Sequence, residues 1–311
     1  VSHMCQIIVE GDSAFDLVQK ITTNDVEKLI DGDIQYSCML NEKGGIIDDL
    51  LVYRISNNKY MLVVNASNAQ KDFQWICSAN SYNLSISDVT SKRGLLAIQG
   101  PKALQLLQNL TSVSLDSIPY YKFKIGRLAD CEDVIISRTG YTGSGGFEIY
   151  MKQEDSEKIW RKIFSIKQDV EPIGLAARDT LRLEMGYCLY GNDITEETTP
   201  VEAGLSWIVK TDTDFIGKSC IVRQIDNGVT QKLVGFILQE RGVPRQGYEI
   251  LNVNNQIIGR VTSGTISPSL NQPLGMGYVI TQEASIGNNI LIKIRNKTLK
   301  AIIVKRPFYE K

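Results

Sequence analysis

The residues Gly44-Gly45-Ile46-Ile47-Asp48-Asp49-Leu50 place two adjacent carboxylates at the start of an apolar strand pattern. An ionised carboxylate is costly to bury unless it is paired, so a core-facing strand rarely carries acids without a functional reason. Successive strand side chains point to opposite faces, so Asp48 and Asp49 cannot both face the same core. We predict that Asp49, which shares a face with Tyr53, reaches a cavity. The alternative is a strand start or sheet edge with both acids in solvent.

Composition narrows the class of protein. The 311 residues are enough for two or three hydrophobic cores. Lys and Arg (34 together) nearly balance Asp and Glu (35 together), which gives no basic surface for nucleic acid or for an acidic membrane. The sequence shows no apolar run of the ~18 residues that a membrane-spanning helix needs, and no signal or transit peptide. We therefore expect neither nucleic acid nor a membrane as a partner.

The cysteines and the histidine exclude several kinds of site. The six cysteines are widely spaced, with no CxxC pair, so we interpret them as reduced thiols of an intracellular protein. His3 is the only histidine. A serine or cysteine triad needs an imidazole, and zinc or non-haem iron sites usually need several. The sequence therefore argues against nucleophilic hydrolysis and predicts no metal site.

A β-hairpin follows the two acids. The strand-like runs 46–55 and 60–64 flank Ser56-Asn57-Asn58-Lys59, which has the composition of a turn. Asn65 then ends the second strand close to Asp49. Whether these two side chains share a face depends on the number of residues in the loop. The sequence does not decide this point.

Local patterns also predict several helices and a second hairpin. Asp12-Ser13 and Ser67 or Asn68 are predicted to cap two helices, Pro101 fits the first turn of a third, and further helices are predicted over 156–164 and from 173 to the stop at Gly186. The hairpin pairs 134–137 with 147–151 around a glycine-rich turn at 139–146. Hairpin strands covered by helices indicate an α+β fold. From about Ile216, short β-type runs separated by turn residues predict a small antiparallel β-barrel. We therefore divide the chain into domains 1–215 and 216–311.

Arg178 lies on the helix predicted from residue 173, one turn before Arg182. No acidic residue stands three or four positions after Arg178, so its guanidinium could bind a ligand carboxylate in bidentate fashion. A solvated side chain is the commoner state of a helix arginine.

Five blocks of the sequence together resemble one family, the aminomethyltransferases or T-proteins of the glycine cleavage system. They are NEKGGIIDDL (41–50), TGYTG (139–143), GLAARDTLRLE (174–184), YGND with TPVE (190–193 and 199–202), and SPS with MGYV (267–269 and 276–279). The blocks stand in the family's order and span nearly the whole chain. The resemblance implies a ring of three domains, the last a small β-barrel, around a tetrahydrofolate pocket.

The resemblance also implies a reaction. In this family an aminomethyl group on the lipoyl arm of the H-protein is converted, with tetrahydrofolate, to 5,10-methylenetetrahydrofolate, ammonia and dihydrolipoyl H-protein. Asp49 matches the family's central acid, which either orients the folate nitrogens or handles their proton. A free Asp has a pKa near ~3.9 and is a weak base at neutral pH, so we expect orientation and charge stabilisation unless burial raises that pKa.

Nine further positions match residues that surround the folate in this family: Met4, Tyr36, Val63, Asn65, Tyr141, Glu148, Arg178, Tyr187 and Trp207. A flat pterin suits aromatic or apolar walls with a few directed polar groups, and Arg178 suits the carboxylate of the glutamyl tail. On sequence alone, Tyr36, Val63 and Trp207 are more typical of core residues. Only the family match makes them binding candidates.

Two alternatives remain open. A folate-dependent demethylase of the same superfamily would keep Asp49 and the pocket. A non-catalytic folate-binding protein of iron-sulfur assembly would carry a Lys-Gly-Cys-Tyr signature, whereas residues 186–191 read GYCLYG, which argues against it. Family members carry several tens of residues before the match to Ser2-His3-Met4, so we expect the sequence to begin inside the first domain. We expect a bacterial cytoplasmic location, with the mitochondrial matrix as the alternative.

Overall fold

The computed structural model describes residues 3–166 and 170–309. The chain divides into two compact units. Unit 1 comprises Val1–Leu40, Ile47–Pro172 and Ile208–Ile216, and unit 2 comprises Asn41–Ile46, Ile173–Trp207 and Gly217–Lys311. The division into domains 1–215 and 216–311 stays a prediction.

The described residues of unit 1 form two sheets and four α-helices. Its strands are β1 (Met4–Glu10), β2 (Ile34–Leu40), β3 (Ile46–Ser56), β4 (Lys59–Asn65), β5 (Ser85–Asp88), β6 (Arg93–Gln99), β7 (Phe123–Leu128), β8 (Cys131–Ser137) and β9 (Gly146–Lys152). Its helices are α1 (Ala14–Ile21), α2 (Ala69–Ala79), α3 (Ala103–Gln108) and α4 (Ser156–Ser165). The first sheet has the strand order β2-β3-β4-β1-β5, and the second has the order β6-β9-β8-β7. Both predicted hairpins are confirmed.

Among the described residues of unit 1, three apolar cores join helices and sheets. One core joins α1 and α2 to the five-stranded sheet through residues such as Leu17, Ile76 and Leu50. A second core, here called the inter-sheet core, joins the two sheets through residues such as Tyr53 and Tyr150. The third joins the four-stranded sheet to α3 and α4. Both faces of the five-stranded sheet are therefore covered, and strand alternation sends successive side chains of β3 into two different cores.

The local signals explain the helices of unit 1. Leu17, Val18 and Ile21 follow helical spacing and are 0–1% exposed, so burial of one face stabilises the short helix α1. Its N-cap is Ser13, as predicted, although the Ser13 side chain makes no capping hydrogen bond. Pro101 was expected in the first helical turn, but it precedes α3, which begins at Ala103.

Unit 2 is built on a closed antiparallel barrel. Its strands are β10 (Gln231–Leu238), β11 (Glu249–Leu251), β12 (Ile257–Ser267), β13 (Gln272–Ile280), β14 (Asn289–Ile294) and β15 (Lys297–Val304), in the order β10-β13-β12-β11-β14-β15, and its helices are α5 (Leu175–Glu184) and α6 (Lys218–Asn227). Pairing of β10 with β15 closes the barrel. The α+β class and the C-terminal barrel are thus confirmed. Within the described residues, no helix is both long and apolar enough to cross a membrane.

Helix α5 packs on β12 and carries one partner of a buried ion pair. The Arg182 side chain is 1% exposed and its Nη1 lies 2.6 Å from Oδ2 of Asp193, which is itself fully buried. Arg182 Nη2 also donates to Ser263 Oγ on β12 at 2.8 Å. The guanidinium therefore satisfies a buried carboxylate and fastens α5 to the barrel.

Candidate active site

The β3–β4 hairpin places Asp49 opposite Asn65. The two strands are joined by a two-residue turn, which alone would put these side chains on opposite faces. The register shifts between Arg54 and Ser56, so β3 carries one extra residue there, a β-bulge. The bulge brings Asp49 and Asn65 onto one face, and Asn65 Nδ2 donates to Asp49 Oδ1 at 3.0 Å. The structure thus shows that Asp49 and Asn65 share a face, which loop length alone did not decide.

Asp49 lies on the inter-sheet face of β3. Its side chain is half-buried, and the next two residues on that face, Leu51 and Tyr53, both belong to the inter-sheet core. Tyr36 Oη on β2 donates to Asp49 Oδ2 at 3.0 Å. Each carboxylate oxygen of Asp49 therefore has one directed donor, from Tyr36 or from Asn65, and the orientation of the group is defined.

Asp48 points to the opposite face and is fully buried, at 0% exposure. Its Oδ2 accepts a hydrogen bond from the backbone N–H of Asn65 at 2.9 Å. Its Oδ1 accepts from Nδ2 of Asn65 at 2.9 Å and from Nδ2 of Asn68 at 2.8 Å. The alternative of two solvated acids is therefore wrong. The amide of Asn65 contacts both carboxylates and couples the two faces of β3.

Burial changes the acidity of Asp49. Burial, with the nearby charge of Asp48, raises the pKa of Asp49 to about 7, although hydrogen bonds from Tyr36 and Asn65 act in the opposite direction. A carboxyl group with a pKa near neutrality is present in both protonation states at working pH. A carboxyl group in this state can both accept and release a proton near neutral pH.

The four-stranded sheet presents a second acid to the same core. Glu148 on β9 is 6% exposed and accepts a hydrogen bond from Thr139 Oγ1 at 2.5 Å. Two residues further on, Tyr150 contacts Tyr53, with hydroxyl oxygens 3.1 Å apart and ring centroids 5.6 Å apart. Burial, and then the charge of Glu148, raise the pKa of Tyr53 well above its usual range. The inter-sheet core therefore combines acidic acceptors with neutral phenols.

Met4, Val63 and Gln6 extend the inter-sheet face across β1 and β4. In the strand register Met4 pairs with Asn65 and Gln6 pairs with Val63. Val63 is 1% exposed, and Met4 is half-buried. Gln6 is 0% exposed, and within the described ranges neither polar atom of its side chain has a hydrogen-bond partner. Buried amides are normally hydrogen-bonded, so an unpartnered one is a candidate group for binding a polar ligand or a water.

Tyr141 lies in the glycine-rich turn between β8 and β9 and is half-buried. Gly143 and Gly145 have φ values of 61° and 72°, in the left-handed region that glycine adopts readily. Thr142 Oγ1 donates to Oε1 of Gln99 at 3.1 Å, which fastens the turn to β6. The interpretation of this stretch as a hairpin turn is confirmed.

Three predicted residues lie in unit 2. Arg178 is half-buried on α5, and Tyr187 is half-buried just after that helix, where burial raises its pKa. Trp207 is 60% exposed. Its interpretation as a plain core residue is therefore wrong, because most of the indole contacts solvent. The assignment of all three residues to folate remains a prediction.

Sequence reasoning missed three polar residues that accompany Asp49. They are Asp48, which is the more deeply buried of the two adjacent acids, Gln6 and Asp72. Asp72 is 0% exposed on α2, four residues before the fully buried Ile76. An acid at helical spacing from a core residue is a sequence signal that could have identified Asp72. Gln6 offered a similar signal, because it interrupts the apolar strand β1.

The chain matches two family descriptions that together cover most of its length. Residues 1–213 match the GCVT N-terminal domain. Residues 231–310 match the glycine cleavage T-protein C-terminal barrel domain. The second match falls on the closed barrel of unit 2, so sequence and structure agree on this element.

Relatives support the same assignment. The chain is 53% identical over 313 residues to an aminomethyltransferase of Flavobacterium psychrophilum, covering 100% of this chain and 87% of the relative. It is 47% identical to an aminomethyltransferase of Halothermothrix orenii, covering 99% and 87%. The crystal structure of glycine cleavage system aminomethyltransferase T from Bartonella henselae superimposes with a TM-score of 0.93 at 34% identity, covering 99% of this chain and 85% of that one. The chain therefore belongs to the aminomethyltransferase family, the T-proteins of the glycine cleavage system.

Proposed function

We propose that this aminomethyltransferase moves the one-carbon unit of the aminomethyl-lipoyl H-protein to tetrahydrofolate, with Asp49 acting at the reacting nitrogens. The products are 5,10-methylenetetrahydrofolate, ammonia and dihydrolipoyl H-protein. The observation that carries the proposal is the state of Asp49, a half-buried carboxyl held by Tyr36 and Asn65, with its pKa raised to about 7. Strongly perturbed acids in such settings are typical of active sites.

The residues of the inter-sheet core suit a reduced pterin, which is a flat ring with several N–H donors. The half-buried Asp49 and the buried Glu148 supply acceptors for those donors. Gln6 supplies an amide whose polar atoms have no partner within the described ranges. The proposed folate-binding residues are Met4, Tyr36, Val63, Asn65, Tyr141, Glu148, Arg178, Tyr187 and Trp207. Arg178, Tyr187 and Trp207 are retained because they match family positions, and a guanidinium suits the carboxylates of a glutamyl tail.

When bound, tetrahydrofolate supplies the nitrogen nucleophiles that receive the one-carbon unit. In its ionised form Asp49 accepts a hydrogen bond from such a nitrogen and stabilises positive charge that develops beside it. Tyr36 and Asn65 hold its two oxygens, so little reorganisation is needed when that charge appears. With a pKa of about 7, Asp49 can also take up a proton and release it again at working pH.

The lipoylated H-protein is part of the same proposal, because the reaction needs a carrier for the aminomethyl group. The relatives named above come from bacteria. We therefore propose the bacterial cytoplasm as the place of the reaction.

The test is a reconstituted assay with tetrahydrofolate and aminomethylated H-protein, in which methylenetetrahydrofolate and ammonia are measured. Activity should require both substrates. Asp49→Asn should lower kcat by about 100- to 10,000-fold, the range typical of an acid–base group. Asp16→Asn on α1 is the matched control, because Asp16 is exposed in the same unit. Product formation without H-protein would contradict the proposed donor, and near-normal turnover by Asp49→Asn would remove Asp49 from the mechanism.

A further inference from the structure

The helix side of β3 holds a second fully buried acid besides Asp48. Asp72 on α2 is 0% exposed, and within the described ranges no N–H or O–H group donates to either of its carboxyl oxygens. An ionised carboxylate in that position would be desolvated without compensation, which costs several kcal/mol or more. Asp72 stands one helical turn after Asn68, whose side chain donates to Asp48 at 2.8 Å, so α2 brings Asp72 to the same side of β3 as Asp48. Two adjacent buried carboxyls of this kind are held together by a shared proton.

The contacts of Asp48 show which acid keeps that proton. Asp48 accepts three N–H hydrogen bonds, two at Oδ1 and one at Oδ2, from the residues Asn65 and Asn68. A carboxylate offers roughly four lone-pair positions, so one position remains on Oδ2. Asp48 is therefore suited to the ionised form. Asp72, with no donor of its own, is suited to the protonated form.

We propose that Asp72 is a positioning residue for Asp49: its protonated carboxyl donates to Asp48, which in turn holds the Asn65 amide against Asp49. The chain of contacts is complete in the structure, because Asn65 Nδ2 lies 2.9 Å from Asp48 Oδ1 and 3.0 Å from Asp49 Oδ1. Asp72 itself touches no substrate in this arrangement. The expected effect of Asp72 on turnover rests on the proposed function. Its protonation state does not.

The charged groups around Asp72 agree with a neutral carboxyl. Burial raises the pKa of Asp72 to about 10, and the charges of Asp48 and Asp49 on β3 act in the same direction. Lys71 on the same helix acts in the opposite direction, and its Nζ donates to the carbonyl of Ile47 at 2.7 Å. From β1, the thiol of Cys5 faces the same acids, and burial raises its pKa, so it adds no negative charge at neutral pH.

The first test measures the proton directly and does not depend on catalysis. Infrared spectra of the purified protein at about pH 8.5, between the pKa values of Asp49 and Asp72, should contain the carbonyl band of a protonated carboxylic acid. Asp72→Asn should lose this band, and Asp16→Asn, which changes an exposed acid, should keep it. A band that is absent from the wild type, or that persists in Asp72→Asn, would overturn the proposal.

The second test uses activity against pH. Asn carries an N–H donor at the position of the acid proton, so Asp72→Asn should keep kcat within about twofold and leave the acid limb of the pH profile in place. If Asp72 were ionised, the same substitution would remove a negative charge, lower the pKa of Asp49 and move that limb to lower pH. Such a movement would contradict the proposal.

The third variant separates positioning from packing. Asp72→Leu keeps the branched shape of the side chain but has methyl groups in place of the oxygens and no donor, and it should lower kcat about tenfold at a temperature at which circular dichroism shows the folded protein. Unchanged kcat in folded Asp72→Leu would reduce Asp72 to a packing role. Should the wild type lack the proposed activity, the infrared band still decides the protonation state of Asp72, so the two failures are distinguishable.

Discussion

Asp193 in unit 2 and Asp49 in unit 1 are both shielded from solvent, but the groups that contact them differ in charge. Asp193 is fully buried beside a guanidinium, with Oδ2 also accepting from Ser263 Oγ at 2.9 Å. Asp49 is half-buried and is held by a phenol and an amide, which are neutral. A cation compensates a buried carboxylate and makes it structural, whereas neutral donors leave its proton affinity close to that of a catalytic acid. The difference fits a structural role for Asp193 and the proposed catalytic role for Asp49.

The largest effect should come from breaking the ion pair of unit 2. Arg182→Met leaves Asp193 buried without its cation, and loss of one partner of such a pair costs about 3–5 kcal/mol of folding free energy. Calorimetric unfolding should show a strongly lowered transition. Arg127→Met is the control, because Arg127 pairs with Asp130 on the surface and should change stability by less than about 1 kcal/mol. Equal losses of folding free energy in the two variants would show that the buried ion pair matters no more to stability than the surface pair.

The second prediction concerns stability against pH. Because burial raises the pKa of Asp49 to about 7, against ~3.9 when unfolded, the folded protein binds the extra proton between these values. The contribution of Asp49 to stability is therefore fully present below about pH 4 and is lost as the pH rises through about 7. Asp49→Asn should thus become more stable relative to the wild type as the pH rises across this window. A difference in melting temperature that stays constant with pH would show that the pKa of Asp49 is not raised.

Removal of one neutral donor should have a smaller effect. Tyr36→Phe deletes the hydrogen bond to Asp49 Oδ2, which favours the ionised form. The pKa of Asp49 should rise, so the acid limb of the activity profile should move upward by about one pH unit. Tyr82→Phe, at a residue that is 39% exposed, is the matched control. An unmoved limb would mean that the Tyr36 hydroxyl does not tune this acid.

The smallest effect should come from the other arginine of α5. Arg178 stands one turn before Arg182, but it is half-buried rather than fully buried. Arg178→Ala should leave thermal stability within about 0.5 kcal/mol of the wild type and weaken tetrahydrofolate binding by about tenfold, since one charge-assisted contact is lost. Calorimetric titration measures the affinity. Unchanged affinity would remove Arg178 from the proposed folate site.

Much of unit 1 was predictable from local pattern. Apolar periodicity identified α1, α2 and α4, and turn composition identified both hairpins, because these elements depend on residues close together in sequence. Asn68 shows the limit of such reasoning. It was a candidate N-cap and does stand at that position, but its side chain donates to Asp48 at 2.8 Å and makes no cap bond. A distant buried charge is a stronger partner than a local helix N–H, and its position cannot be read from neighbouring residues.

The amino-acid sequence alone was enough to identify the family, the α+β class and the C-terminal barrel. It also indicated that the adjacent acids Asp48 and Asp49 have a functional reason. Only the tertiary structure decided the different surroundings of those two acids. A single bulge between Arg54 and Ser56 turned Asn65 towards Asp49, and the helix layer buried Asp48 beside Asp72. The physical reason is that proton affinity depends on desolvation and on donors from remote strands and helices, which come together only when the chain is packed.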